Sequence, residues 1–133
     1  MTSKVIYLGD LRTESEHLQS GEKILTDAPV DNNGKGEAFS PTDMVANSLA
    51  TCMLTIMGIK ARDLSIDLRG TTAEVTKVMA TDPRRIGKII IRFTLPVAVE
   101  EKSKTILERA AHTCPVLYSL HPDIEKDITF IWA

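Results

Sequence analysis

"FSPTDMVANSLATCMLTIMGIKA", residues 39–61, carries a helix-start signal and then a long apolar run with almost no charge after Asp43. Ser40 can act as N-cap, and Pro41 suits the first helical position, where its missing N–H has no partner to lose. Asp43 falls at the third position, giving a carboxylate variant of the capping box. A helix over residues 41–61 is predicted. Along it Val45, Leu49, Cys52, Ile56 and Ile59 recur at alternating four- and three-residue steps, while Asn47, Thr51 and Thr55 run down a neighbouring stripe. Cys52 sits where the two stripes meet, with Ser48 and Thr55 as near neighbours on the helix surface. A helix that is apolar nearly all round must be covered on most sides. A chain of 133 residues offers limited cover, which points to a partner subunit.

Upstream of this helix, "KVIYLG", "RTESEHLQ" and "EKILTD" read as three short strands of an antiparallel meander, with Ser20-Gly21 as a turn. "APVDNNGKGEAF" collects Pro29, Asn32, Asn33, Gly34 and Gly36 and marks a loop. Downstream, "SIDLRGTTAEVTKVMATD" and "GKIIIRFTLPV" form a hairpin through "DPRR", with Ile89, Ile91, Phe93 and Leu95 on one face. "EEKSKTILERAAHT" places Ile106, Leu107, Ala110 and Ala111 at helical spacing. This second helix stops near Cys114, because Pro115 disfavours the α conformation in the residue before it. A short helical turn through "PVLYSL" and a closing strand "DITFIWA", alternating Ile128, Phe130 and Trp132, complete the chain. The order is that of a single α+β domain over residues 1–133.

A mass of 14.7 kDa fits one domain. The formal net charge of −2 gives no broad electrostatic reason to meet nucleic acid or anionic lipid. The amino terminus lacks an apolar run of signal-peptide length, and no window reads as about 18 consecutive apolar residues, so no membrane association and a cytoplasmic location are expected. Two cysteines, Cys52 and Cys114, stand outside any CxxC or Cys/His zinc spacing. In a reducing compartment they serve either core packing or redox chemistry.

Reactivity requires the thiolate, and a free thiol with a pKa of about 8.5 is mostly protonated at pH 7. Cys52 lies roughly 16 Å from the helix start, beyond the reach of the helix dipole. A cation must come from elsewhere. Among Arg12, Lys23 and Lys35, Arg12 is favoured because arginine stays charged when partly buried. Periodicity alone leaves Cys52 open between core residue and reactive thiol.

"FSPTDMVANSLATCM" resembles the helix of the osmotically inducible protein C and organic hydroperoxide resistance (OsmC/Ohr) family. There an Asn-Pro-Glu-like start leads, after a fixed interval kept here by Pro41 and Cys52, into an Ala-rich helix that contains a cysteine. "AAHTCPV" is similar to the family's second cysteine segment, with Ala111, His112, Cys114 and Pro115 on its pattern. The resemblance implies an OsmC-like fold, antiparallel sheets around a long buried helix, in an intertwined homodimer with active sites at the subunit interface. It further implies that Cys52 is peroxidatic toward a small organic hydroperoxide, that Cys114 is resolving, and that Arg12 stabilises the thiolate and positions the peroxide. An external dithiol, a lipoyl protein in parts of the family, would return the enzyme to its reduced state. Neither metal nor organic cofactor is expected.

The peroxidase branches carry glutamate directly after the helix-start proline, where this chain has Thr42. Asp43, one position along, is a candidate to support Arg12 as well as to cap the helix. His112 is a candidate to assist Cys114, or simply a helix-surface residue. The same dimer read as a non-catalytic binder of a small apolar ligand, with Cys52 as lining, is the alternative that Thr42 favours.

Overall fold

The structure is a computed structural model that describes all residues, Met1–Ala133. The chain divides into two compact units, Met1–Val45 and Ala46–Ala133.

In the first unit β1 (Ser3–Gly9), β2 (Arg12–His17) and β3 (Lys23–Asp27) form an antiparallel meander in that spatial order, as the strand and turn signals predict. The β1–β2 connection is tight because Asp10 and Leu11 both take positive φ, 52° and 63°, matching the twist of the flanking strands. Strand β2 pairs with β3 so that Arg12 faces Asp27. The loop after β3 contains a 3-10 turn, Val30–Asn32, and folds back so that Gly34 lies against the Ala28 carbonyl. A Cβ on Gly34 would come within 1.7 Å of that oxygen, so only glycine fits there. Val5, Ile6, Tyr7, Leu8, Ile24 and Leu25 are exposed in the single chain.

The long helix α1 (Pro41–Asp63) starts as its sequence dictates. The Asp43 N–H donates to Ser40 Oγ at 3.0 Å, and the Ser40 N–H donates to Asp43 Oδ2 at 2.9 Å. This reciprocal capping box satisfies two backbone donors that the helix itself leaves open, and an N-cap of this kind contributes about 1 kcal/mol.

The buried face of α1 shares only Leu49 with the apolar stripe Val45, Leu49, Cys52, Ile56 and Ile59. Ala46, Leu49, Ala50, Met53, Met57 and Ala61 are buried, whereas Val45 and Ile59 are 39% and 55% exposed. The helix is apolar nearly all round, so period alone does not select the core-facing side. Packing does: alanines permit close approach and methionines fill irregular space beside the sheet. By length and composition alone, with a mean hydropathy of 1.4, α1 could cross a membrane. Here Leu49, Met53 and Met57 instead join the core of the second unit.

In that unit β4 (Thr72–Ala80), β5 (Arg85–Leu95) and β6 (Glu125–Trp132) form a sheet in the order β4-β5-β6. The segment before Thr72, expected to be strand from Ser65, is mostly loop, held by an Arg69–Asp67 pair at 2.7 Å. Ile89, Ile91, Phe93 and Leu95 alternate on the inner face of β5 and are completely buried. Each fully buried side chain of this size contributes about 1.5–3 kcal/mol of transfer free energy. Strand β6 joins β5 in parallel, so the second sheet is mixed. A parallel neighbour needs a long crossover, supplied by α2 (Glu101–Ala111) and α3 (Pro115–Ser119). Glu108 Oε1 accepts from Trp132 Nε1 at 3.1 Å, tying α2 to β6, and Phe93 stacks on Phe130 at 5.2 Å.

Candidate active site

Cys52 lies at the middle of α1, half-buried and packed against the edge of the core. Thr55, its polar neighbour one turn on, donates its hydroxyl to the Thr51 carbonyl at 2.8 Å, which commits that hydrogen to the backbone. The position of Cys114 follows from Pro115. Helix α2 ends at Ala111, and the proline ring forces the residue before it out of the helical conformation. Cys114 therefore takes extended geometry, φ −70° and ψ 139°, and becomes the N-cap of α3. Its Sγ accepts the Leu117 N–H at 3.3 Å.

Both thiols are free, and Cys114 is fully buried. Burial pushes the Cys114 thiol above its ordinary range, and the adjacent Cys52 thiol, within hydrogen-bonding reach, pushes in the same direction. The N–H groups of Leu117 and Val116 oppose the shift only in part. Cys114 accordingly holds its proton. The arrangement is a reduced dithiol built from two elements of one unit, with one sulfur at the surface of the core and the other inside it.

In the first unit Arg12 opens β2, opposite Asp27 at the end of β3. Its Nη2 donates to Asp27 Oδ2 at 3.2 Å and to Glu37 Oε2 at 3.0 Å. Asp27 is 1% exposed. Its Oδ2 also accepts the Glu37 N–H at 3.1 Å, and its own N–H donates to the Phe39 carbonyl at 3.0 Å. The Glu37 amide and the Arg12 guanidinium hold the Asp27 carboxyl below the usual carboxylate range, against its burial. The same pairing raises Arg12.

Among the supporting candidates, Asp43 belongs to the capping box, and the Thr42 hydroxyl lies 3.2 Å from Ser40 Oγ. His112 is exposed; its Nδ1 lies 2.9 Å from the Glu108 carbonyl, and its ring tilts against Phe130. Asp27 and Glu37 were not singled out by sequence reasoning. They stand 15 and 25 residues from Arg12, and only the strand register and the returning loop bring them to it. An apolar groove of about 440 Å³ lies between α1 and α2, lined by Ile56, Ile59, Ile106 and Ala110 with Lys60 and Arg109.

The site thus sits in an α+β chain whose central helix carries one free thiol and whose third helix is capped by another. The family model described as OsmC-like protein matches residues 34–129, and the chain belongs to that family. A solved structure from Psychrobacter arcticus 273-4, provisionally named an osmotic stress induced and detoxification response protein, is 60% identical. The match covers 98% of this chain and 95% of that one, with a TM-score of 0.95. An organic hydroperoxide resistance protein OsmC from Legionella pneumophila is 14% identical over 98% and 97% of the two chains, with a TM-score of 0.76. A provisionally named organic hydroperoxide resistance protein from Vibrio cholerae, with captopril bound in one of its active sites, is 15% identical over 98% and 91%, with a TM-score of 0.74. No curated protein matches the sequence significantly.

Proposed function

We propose that the protein is a thiol-dependent peroxidase that reduces small organic hydroperoxides in oxidative-stress defence. The observation that carries the reading is the pairing of half-buried Cys52 with buried, proton-holding Cys114. The Cys52 thiolate attacks the distal peroxide oxygen. The O–O bond breaks, sulfur gains an S–O bond as a sulfenic acid, and the departing alkoxide takes a proton to leave as alcohol. The Cys114 thiol then attacks the Cys52 sulfur, expelling the hydroxyl as water and forming the disulfide. An external dithiol, itself oxidised to a disulfide, restores both thiols by exchange. Arg12 is assigned to stabilise the thiolate and position the peroxide. The exposed apolar residues of the first sheet and of the Val45 and Ile59 side of α1 support a homodimer as the working form, and the absence of structural disulfides accords with a cytoplasmic location.

The apolar groove between α1 and α2 favours a second reading, a non-catalytic binder of a small apolar ligand. Cys114→Ser separates the two. Serine preserves the N-cap, since its hydroxyl can accept the Leu117 N–H, but it cannot form the disulfide. After one equivalent of tert-butyl hydroperoxide this variant accumulates sulfenic acid on Cys52, trapped by dimedone and located by peptide mass spectrometry. An unmodified Cys52 peptide would exclude the peroxidase and leave the binder.

A further inference from the structure

At the C-terminal end of α1 the chain turns back along the helix and borders an open cavity of about 680 Å³, with Leu54, Gly58 and Arg62 on the helix side and residues 65–71 on the other. That volume lies within the roughly 300–1,000 Å³ of small-molecule sites. Neither cysteine lines it. Gly58 is its least expected member. Glycine weakens a helix interior relative to alanine, and a Cβ at this position would meet no atom within 4 Å, so packing within the chain does not call for it. What glycine does provide is bare helix backbone facing open space beside Leu54, Ile66 and Leu68, an apolar wall that a flat body can approach closely.

The polar groups around the cavity favour an anion. The last carbonyls of α1 are already occupied: Lys60 O accepts the Leu64 N–H at 3.2 Å, Ala61 O the Ile66 N–H at 2.9 Å and Arg62 O the Ser65 N–H at 3.2 Å. The Thr71 hydroxyl donates to the Leu68 carbonyl at 2.7 Å. Asp67, the one carboxylate in the lining, is held by Arg69, whose Nε and Nη2 donate to it at 2.7–3.1 Å. Arg62 is exposed and takes no part in that pair, so the lining carries one uncompensated positive charge. The fork with Asp67 fixes the plane of the Arg69 guanidinium at the cavity mouth, and a planar guanidinium stacks on aromatic faces. We propose that this cavity binds a small aromatic carboxylate, its ring laid on the bare backbone at Gly58 and its carboxylate paired with Arg62 and hydrogen-bonded by the Ser65 hydroxyl. The site is separate from the dithiol and does not rest on the peroxidase reading.

The probe is hydrocinnamate, titrated into the isotope-labelled full chain and followed by NMR at the backbone amides of Gly58, Leu68 and Gly70. Saturable shifts with a Kd below about 1 mM are expected. Gly58→Leu fills the open space with a strong helix former; it is expected to weaken binding at least about tenfold while the melting temperature holds or rises. Arg62→Gln is expected to weaken hydrocinnamate at least about tenfold, yet to leave the weaker binding of uncharged hydrocinnamide unchanged. Absence of saturable shifts overturns the inference, as does wild-type affinity in Arg62→Gln or in a folded Gly58→Leu. Equal affinity of the wild type for hydrocinnamate and hydrocinnamide also overturns it. Size-exclusion chromatography accompanies each titration: a Gly58→Leu protein that changes its oligomeric state and still binds hydrocinnamate assigns the glycine to a contact between copies, against the inference. If Gly58→Leu does not fold, Arg62→Gln and the amide comparison decide.

Discussion

Cys52→Ser is expected to abolish the proposed hydroperoxide consumption, lowering turnover of tert-butyl hydroperoxide by at least about three orders of magnitude. A serine hydroxyl on the side of α1 stays protonated at neutral pH and cannot accept the peroxide oxygen as a sulfenic acid, whereas a thiol supplies a reactive anion. The effect belongs to chemistry and not to folding. Cys52 is half-buried at the margin of the core, so the melting temperature is expected to remain within about 3 °C of wild type. The measurement is peroxide consumption in the presence of excess dithiol, paired with a thermal melt. Turnover that survives the substitution would identify a different nucleophile.

Phe93→Ala removes the largest completely buried side chain, at the centre of β5. Its ring stacks on Phe130 from the parallel strand β6, so the substitution leaves a cavity in the buried core of the second unit. The expected loss is about 3–5 kcal/mol, or roughly 10–20 °C in melting temperature for a chain of this size. Chemical denaturation at fixed protein concentration reads it. A loss below about 1 kcal/mol would contradict the packing of β5 as the core of the second unit.

The elements that local rules govern were legible in the sequence. Ser40, Pro41 and Asp43 announced the start of α1, the alternation from Ile89 to Leu95 announced the buried face of β5, and Pro115 announced the break that makes Cys114 a cap. What local rules do not govern was less legible. The parallel pairing of β6 on β5 depends on where α2 carries the chain, and no residue of β6 encodes it alone. The core-facing side of α1 was not legible, because a helix apolar on nearly every side has no unique stripe. Val45 and Ile59 are exposed in the single chain, while Ala46, Met53 and Met57 take the buried positions.

At the candidate site the two cysteines were found by their motifs, and the structure brings them together within one unit. The setting of Arg12 was not found. Asp43, a candidate to support it from its place beside Thr42, accepts the Ser40 N–H in the helix cap. Two carboxylates that pair with Arg12 come from the end of β3 and from the loop that follows. Nothing in "EKILTD" or "GKGEAF" signals that role, since it arises from the register of β2 on β3 and from the fold-back of the loop at Gly34.

The central claim is that Cys52 and Cys114 form a peroxide-responsive pair. Reduced protein mixed with one equivalent of tert-butyl hydroperoxide, quenched by an alkylating reagent and mapped by mass spectrometry, tests it most directly. The account predicts that both thiols disappear within seconds and that a Cys52–Cys114 disulfide forms in their place. Two thiols still free after an hour, or oxidation without that bridge, would contradict it.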